Sequence, residues 1–133
     1  MSSITKFIEA AIFAAGKAEP RMRWRHGAVL ADARGKIIST GFNYFTQQFP
    51  WTNVVKTEHY ISAHAEYSCV MKMSRSTLKL QKGLTMYVVG IQKNGCMVTS
   101  SRPCSKCEAF MRNNNIAKVI FMENDKIITI NLQ

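Results

Sequence analysis

The sequence has 133 residues, of which 47% are hydrophobic, and it carries a formal net charge of +10. This length and composition exclude a disordered chain and predict one globular domain spanning residues 1–133. No apolar run approaches the length of a membrane span, and Lys6 and Glu9 interrupt the apolar N-terminal residues. We therefore expect neither a membrane partner nor a signal peptide.

The charge of the chain is strongly one-sided. Lys and Arg number 18 against 8 Asp and Glu. An excess of this size favours a phosphate-bearing partner, which would be a nucleotide or a nucleic acid. The alternative is a generic basic surface that serves solubility, and the composition leaves both interpretations open.

The first predicted elements follow simple periodicities. Apolar residues fall on one helical stripe over residues 3–17, which predicts an amphipathic helix. Residues 27–31 and 36–41 are predicted strands, and residues 32–35 between them form a turn, so we expect a β-hairpin. Residues 44–61 carry aromatic and polar side chains without a steady period, and we interpret them as a long loop next to the functional site.

Basic and aromatic residues alternate over residues 21–26, just before the first strand. This pattern suits a phosphate or a stacked base, and it makes Arg25 and His26 candidate substrate contacts. The alternative is a solvated basic loop with Trp24 tucked beneath it.

Two features of the long loop stay open at this point. Residues 49–51 are aromatic and proline-containing, and they could wall the pocket, contact another subunit or form an ordinary hydrophobic patch. His59 could touch a substrate, but we favour a surface histidine.

A second helix is predicted to begin near Ala63. Ala65, Cys69 and Met73 repeat every fourth residue, so they form a stripe that faces the core. Cys69 is therefore predicted to be a buried, small apolar residue rather than a metal ligand.

The third helix is predicted to follow a buried strand. Residues 84–91 form a continuous apolar run typical of a central strand. After a turn, Ser101 is the predicted N-cap of the helix, with Pro103 in the first turn. The asparagines at 113–115 are predicted to end it.

Residues 117–122 and 126–130 are the last two predicted strands. The chain that follows the first of them is too short for a crossover helix and a further strand. The last strand must therefore return antiparallel as a hairpin. The predicted fold is α/β, with a five-stranded mixed sheet and helices on both of its faces.

Cys104 and Cys107 have the spacing of a zinc site, because two thiolates separated by two residues can reach one tetrahedral ion. His64 is the best candidate for a third ligand. One His and two Cys leave the fourth position open for water, as in a catalytic site. Both thiols lie at a predicted helix N-terminus, whose dipole favours the anionic form. The alternative is a closed structural site completed by Cys96.

Glu66 lies two residues beyond His64, where it could move protons without binding the metal. Within a regular helix these two side chains would diverge by roughly 200°. His64 must therefore lie at the irregular start of the helix, where the backbone can turn both side chains into one pocket.

The segments H-A-E at 64–66 and P-C-x-x-C at 103–107 together resemble the signature of the zinc-dependent cytidine and deoxycytidylate deaminase superfamily. The resemblance covers roughly residues 24–123. It implies a three-layer α-β-α fold, and the predicted terminal hairpin resembles the layout of the free-cytidine deaminases. By resemblance, Asn43 contacts the ribose, and the backbone of Ser101 and Arg102 accepts a hydrogen bond from the substrate amine.

The resemblance implies hydrolytic deamination of cytosine to uracil in a nucleotide or nucleoside. Zinc held by His64, Cys104 and Cys107 would lower the pKa of a water toward roughly 7. Glu66 would take that proton, pass it to the ring nitrogen and later protonate the departing amine.

Two rival functions stay open from the sequence. One is a polynucleotide deaminase acting on single-stranded DNA or RNA, and the other is a non-catalytic, zinc-stabilised nucleic-acid-binding module. We also expect a homo-oligomer. Because the metal motif claims two of the four cysteines, we expect no disulfide framework and a reducing, cytoplasmic compartment.

Overall fold

The computed structural model describes residues 3–18, 24–46, 61–92 and 94–133. Its helices are α1 (Ser3–Ala15), α2 (Ala65–Met71), α3 (Arg75–Leu80) and α4 (Ser105–Asn113). Its strands are β1 (Trp24–Ala31), β2 (Ile37–Phe42), β3 (Tyr44–Thr46), β4 (Ile61–Ala63), β5 (Leu84–Gln92), β6 (Ile116–Glu123) and β7 (Lys126–Asn131). Arg21, Arg23, residues 49–51 and His59 lie outside the described residues, and so do the predictions made for them.

The main sheet has five strands in the order β2-β1-β5-β6-β7. Only β5 and β6 are parallel, and the other neighbours are antiparallel. The predictions of a mixed five-stranded sheet and an antiparallel terminal hairpin are therefore confirmed. Asn124 and Asp125 form the tight turn between β6 and β7 with φ values of 51° and 64°. Asn and Asp tolerate this left-handed backbone better than most residues.

The central strand β5 is buried along nearly its whole length. Its apolar residues alternate between two hydrophobic clusters because successive side chains point to opposite faces of a sheet. Met86 and Val88 face one cluster, whereas Tyr87 and Val89 face the other. The unbroken apolar run in the sequence thus reflects a strand covered on both faces.

Helix α1 covers one face of the sheet. Phe7 and Ala11 pack against β1 and β5, and the Phe7 and Tyr87 rings stack with centroids 4.6 Å apart. Gly27 allows this close approach, because a Cβ there would collide with the backbone of Ala11 and Ala15. The predicted helix over residues 3–17 is confirmed, with its end two residues earlier.

Helices α2, α3 and α4 cover the other face, which completes the three-layer arrangement. Ala65 and Cys69 of α2 are buried as the stripe predicts. Helix α2 lies directly on β2 at Gly41, where a Cβ would be 2.5 Å from the backbone nitrogen of Cys69. This close packing fixes the distance between α2 and the sheet.

Three local predictions are wrong. Strand β1 begins at Trp24 rather than residue 27, so the end of the basic stretch is strand and the Trp24 side chain is 51% exposed instead of tucked away. The two ends of the predicted 44–61 loop pair as β3 and β4, with Tyr44 opposite Ala63. Helix α3 is absent from the sequence prediction, although Ser74 caps it by accepting a hydrogen bond from the Thr77 backbone.

Candidate metal centre and its surroundings

His64 occupies the N-cap of α2, with an extended backbone at φ −75° and ψ 152°. Its carbonyl accepts the first helical hydrogen bond from the Ser68 backbone at 3.1 Å, while its ring makes no hydrogen bond that caps the helix. The prediction that His64 lies at the irregular start of this helix is thus confirmed. Burial lowers the pKa of His64, which keeps the imidazole in the neutral form that binds metals.

Cys104 is the N-cap of α4, and Cys107 lies one turn later on the same side. The Cys104 sulfur accepts a hydrogen bond from the Cys107 backbone nitrogen at 3.4 Å. Cys107 is buried, whereas Cys104 is exposed. Burial, followed by the neighbouring Glu66 carboxylate, raises the pKa of the Cys107 thiol, which opposes the anionic form that a helix N-terminus favours.

The three candidate ligand atoms converge. His64 Nδ1 lies 2.9 Å from Cys107 Sγ and 3.7 Å from Cys104 Sγ, and all three atoms lie within 4.8 Å of one another. Tetrahedral zinc with ordinary bond lengths separates a nitrogen and a sulfur ligand by roughly 3.5 Å. The donor set and its spacing therefore fit zinc. Cys96 does not belong to this cluster within the described residues.

Glu66 lies in the first turn of α2 and is only 4% exposed. Burial raises the pKa of its carboxyl to about 7, against a smaller opposing effect of a backbone hydrogen bond at Glu66. A carboxyl with this pKa exchanges protons readily near neutral pH. Because His64 lies at the N-cap, its ring and the Glu66 carboxyl can both lie near Cys107.

His26 lies on the face of the sheet that carries the cysteines and His64. Along β1 it shares this face with Ala28 and Leu30, which pack on α2. Its ring lies over Gly90, where a Cβ would be 2.7 Å from Nε2. Burial, followed by repulsion from His64, lowers the pKa of His26 to about 4, so the ring is neutral beside the metal centre.

Arg25 lies on the opposite face of the sheet. It alternates with His26 along β1 and shares the side of Gly27, which packs on α1. Its Nε is buried and has no hydrogen-bond partner among the described residues. The structure therefore does not bring Arg25 to the candidate ligands, unlike His26.

The buried side chain of Asn43 bridges to β1. Its Oδ1 accepts a hydrogen bond from the His26 backbone at 2.8 Å, and its Nδ2 donates to the Trp24 carbonyl at 3.1 Å. The Asn43 backbone nitrogen donates to the His26 carbonyl at 3.2 Å. Asn43 thus fixes the backbone of His26 from both sides.

Ser101 is not the N-cap of α4, which corrects the sequence prediction. Its hydroxyl is buried, and its single proton has two carbonyl acceptors in reach, those of Val88 at 3.0 Å and Met122 at 3.1 Å. The same oxygen accepts a hydrogen bond from the Met122 backbone at 3.0 Å. The helix has no need of a serine cap because the Cys104 sulfur fills that position.

Arg102 turns its side chain away from the ligand cluster toward the β6–β7 hairpin. Its Nε and Nη2 donate to the two carboxylate oxygens of Glu123 at 3.1 and 2.9 Å, and its guanidinium lies 4.9 Å from the centre of the Phe121 ring. Glu123 could not be recognised from the sequence as a partner of Arg102, since no short-range pattern connects the two residues.

The family follows from the sequence as well as from this geometry. Residues 1–123 match the family described as the cytidine and deoxycytidylate deaminase zinc-binding region. The chain belongs to this family. It is accordingly a hydrolytic deaminase whose cofactor is zinc, and the prediction of a non-catalytic binding module is set aside.

Solved structures of cytidine deaminases share the fold of this family member. The enzyme from Burkholderia pseudomallei is 20% identical with a TM-score of 0.61, and 99% of this chain and 94% of that chain are covered. The Mycobacterium leprae enzyme is 18% identical with a TM-score of 0.59 and coverage of 97% and 94%. The Mycobacterium tuberculosis enzyme is 16% identical with a TM-score of 0.60 and coverage of 99% and 92%. No curated protein sequence matches the chain.

No helix in the described part of the chain is long and apolar enough to span a membrane.

Proposed function

We propose that this protein deaminates cytosine to uracil in a pyrimidine nucleoside or nucleotide. The observation that carries the proposal is that a candidate metal-binding cluster and a candidate proton-transfer group lie next to each other. His64, Cys104 and Cys107 converge in the spacing of zinc ligands, and the buried Glu66 carboxyl, with a pKa of about 7, lies in the adjacent helix turn. A purely structural zinc site has no need for such a carboxyl.

In this proposal His64, Cys104 and Cys107 hold the metal. Zinc, when bound, supplies a water that is acidic enough to act as hydroxide near neutral pH. Glu66 is the only described ionisable carboxyl buried at the site, so we assign it the proton transfers. It receives one proton from the attacking water and delivers it to the ring nitrogen, then receives a second from the hydroxyl that has added to the ring and delivers it to the departing amine.

The remaining substrate contacts are assigned to described residues that lie around the candidate metal ligands. The carbonyls of Ser101 and Arg102 would accept a hydrogen bond from the substrate amine, because the segment that carries them leads directly into Cys104. Asn43 would contact the sugar, and His26 would contact the substrate through its neutral ring. We do not assign a substrate contact to Arg25, whose side chain lies on the α1 face of the sheet.

Parallel assays test the substrate class. The purified zinc-loaded protein is incubated with cytidine, dCMP, dCTP and single-stranded DNA, and release of ammonia and formation of uracil are measured. We expect turnover of at least one monomeric substrate. Absence of turnover on all the monomers would contradict the proposal.

A polynucleotide substrate is the second candidate, and the net charge of +10 favours it. A salt series separates the two candidates. Several phosphate contacts along a single strand would lower affinity steeply, with a slope of about −0.7 per contact, whereas a monophosphate engages one or two cations and gives a shallow slope. We expect the shallow slope.

We further propose one catalytic domain over residues 1–133, a homo-oligomer and a reducing, cytoplasmic location. The sheet supports the first point, since both hydrophobic clusters share it. For the second point we rely on Ile12 and Phe13, adjacent large apolar side chains of α1 that are 36% and 72% exposed. The reducing location is supported by a candidate site that requires free thiols. Light scattering tests the homo-oligomer, and cell fractionation tests the location.

A further inference from the structure

Strands β5 and β6 separate at the end of the sheet next to the candidate metal centre. Their parallel pairing ends at Val88 opposite Phe121. The chain that returns from β5, residues 96–102, fills the gap between them, and we call it the wedge segment. It bonds β5 through Val98 to the Gly90 carbonyl at 3.0 Å, and it meets β6 where Ser100 pairs with Glu123.

The wedge segment is fixed at Ser101 by a single buried hydroxyl that reaches both strands. The Ser101 backbone nitrogen also donates to the Met122 carbonyl at 2.9 Å. These bonds fix the position of Ser101. They do not set the orientation of the next peptide, which joins Ser101 to Arg102 and carries the Ser101 carbonyl.

A second chain of hydrogen bonds begins at Glu123 and ends on that peptide. The Ser100 hydroxyl donates to Glu123 Oε2 at 3.0 Å, so its lone pairs are free to accept. The Arg102 backbone nitrogen donates to the same hydroxyl at 3.2 Å. Because a trans peptide is planar, an N–H held toward Ser100 directs the Ser101 carbonyl to the opposite side.

We propose that Glu123 is a positioning residue of this deaminase, which orients the Ser101–Arg102 peptide through the Ser100 hydroxyl and the Arg102 guanidinium. The inference rests on the proposed function, in which the Ser101 carbonyl of this peptide accepts a hydrogen bond from the amine of the substrate. Glu123 itself touches no reacting atom. Its carboxylate accepts hydrogen bonds from the Ser100 hydroxyl and from the Arg102 guanidinium, so one side chain holds both the acceptor of the Arg102 N–H and the Arg102 side chain.

The alternative is that Glu123 and Arg102 form an ordinary surface ion pair. Their side chains are 26% and 48% exposed, and exposed pairs of this kind contribute little to stability. An ordinary pair would therefore leave both turnover and local backbone protection unchanged when it is removed. An orienting role would change both, even if global stability stays the same.

Two single changes and their combination test the proposal. Glu123→Ala and Ser100→Ala each break the same chain of hydrogen bonds, so each should lower kcat on the order of tenfold and change KM less. The double variant should be no worse than either single variant, because the two residues act in series. Glu123→Gln retains an acceptor for Ser100 and should recover most of the lost kcat.

Glu108→Ala is the matched control. It removes the ion pair in which Glu108 and Arg112 approach to 3.3 Å. No hydrogen bond between Glu108 and the wedge segment occurs among the described contacts, so its charge acts on Arg102 only at longer range. We expect its kcat to stay within about twofold of the unchanged protein. Additive losses in the double variant, or a loss in Arg102→Ala without one in Glu123→Ala, would overturn the positioning role.

Amide hydrogen exchange separates this inference from the proposed function. The Arg102 amide should exchange on the order of tenfold faster in Glu123→Ala and Ser100→Ala and stay unchanged in Glu108→Ala. Unchanged exchange in all three variants would overturn the inference whatever the substrate. If the unchanged protein turns over no pyrimidine substrate, the proposed function fails, and the exchange rates still decide whether Glu123 orients the peptide.

Discussion

Helices α2 and α4 both begin at a candidate metal ligand, yet they are held in place differently. His64 makes no side-chain cap to α2, which is positioned by its packing on Gly41. Cys104 caps α4 with its own sulfur, and the wedge segment before it is hydrogen-bonded to two strands. One ligand is thus placed by shape and the other by hydrogen bonds, so different substitutions should displace them.

The largest expected effect comes from Glu66 on α2. Glu66→Ala should retain zinc and the fold but lose turnover by about 10²–10⁴-fold, because a positioned proton-transfer group contributes that much. Glu66→Gln, which keeps the shape, should lose a similar factor. Zinc content and turnover are measured on the same preparation. Activity close to that of the unchanged protein would exclude Glu66 from the proton transfers.

The next effect separates metal binding from helix capping at Cys104. Cys104→Ala and Cys107→Ala should each lose zinc from a starting content of about one ion per chain, since the site offers three ligands. Cys104→Ser should also bind zinc poorly, but its hydroxyl can still cap α4. Without metal, Cys104→Ala should therefore unfold about 1 kcal/mol more easily than Cys104→Ser. Full zinc retention in both alanine variants would contradict the ligand assignment.

A substitution at Gly41 should displace α2 while leaving α4 in place. An added Cβ would meet backbone atoms of Cys69 at 2.5 Å and Ala65 at 2.8 Å, which cannot move independently of the helix. We expect Gly41→Ala to lower the free energy of unfolding by about 1–3 kcal/mol and to weaken zinc binding. Urea unfolding measures the first effect and metal titration the second.

Gly95→Ala is the control for Gly41. Gly95 has a φ of +88° but its Cβ would meet open space, so only backbone strain is added. Gly95→Ala should lower the free energy of unfolding by about 1 kcal/mol, which is less than Gly41→Ala, and it should leave zinc binding unchanged. Equal losses of zinc affinity in the two variants would mean that Gly41 does not place α2.

The smallest expected effect is at Cys96, which is exposed and outside the ligand cluster. Cys96→Ser should change neither zinc content nor stability by more than about 0.5 kcal/mol. Iodoacetamide should modify Cys96 in the folded zinc-loaded protein and spare Cys69, because burial raises the pKa of the Cys69 thiol to about 12. Loss of zinc in Cys96→Ser would instead support a closed structural site with Cys96 as its fourth ligand.

The sheet and the cluster of candidate metal ligands could be predicted because their signals are local. The apolar run of β5 and the stripe of α1 follow from one periodicity each, and the Cys104–Cys107 spacing is a ligand geometry in itself. Ser101 shows the limit of such rules. A serine two residues before a proline indicates an N-cap, but here a cysteine sulfur takes that position and the hydroxyl bonds distant strands instead.

Other features could not be predicted because they depend on distant partners. Arg25 and His26 have equal claims in the sequence, and only the register of β1 separates them onto opposite faces. Glu123 and Arg102 meet because β6 ends beside the wedge segment. The pairing of Tyr44 with Ala63 likewise joins the two ends of a segment that has no strand periodicity.

The central position of β5 has a consequence for synthesis of the chain. Helix α1 and the β1–β2 hairpin are made first, but both rest on β5, which begins only at Leu84. Neither hydrophobic cluster can close until β5 has emerged from the ribosome, so the apolar faces of α1 and β1 are exposed during much of translation. We therefore expect nascent chains from which β5 has not yet emerged to bind chaperones and to be cut readily by proteases, and chains that have emerged through Leu132 to resist both.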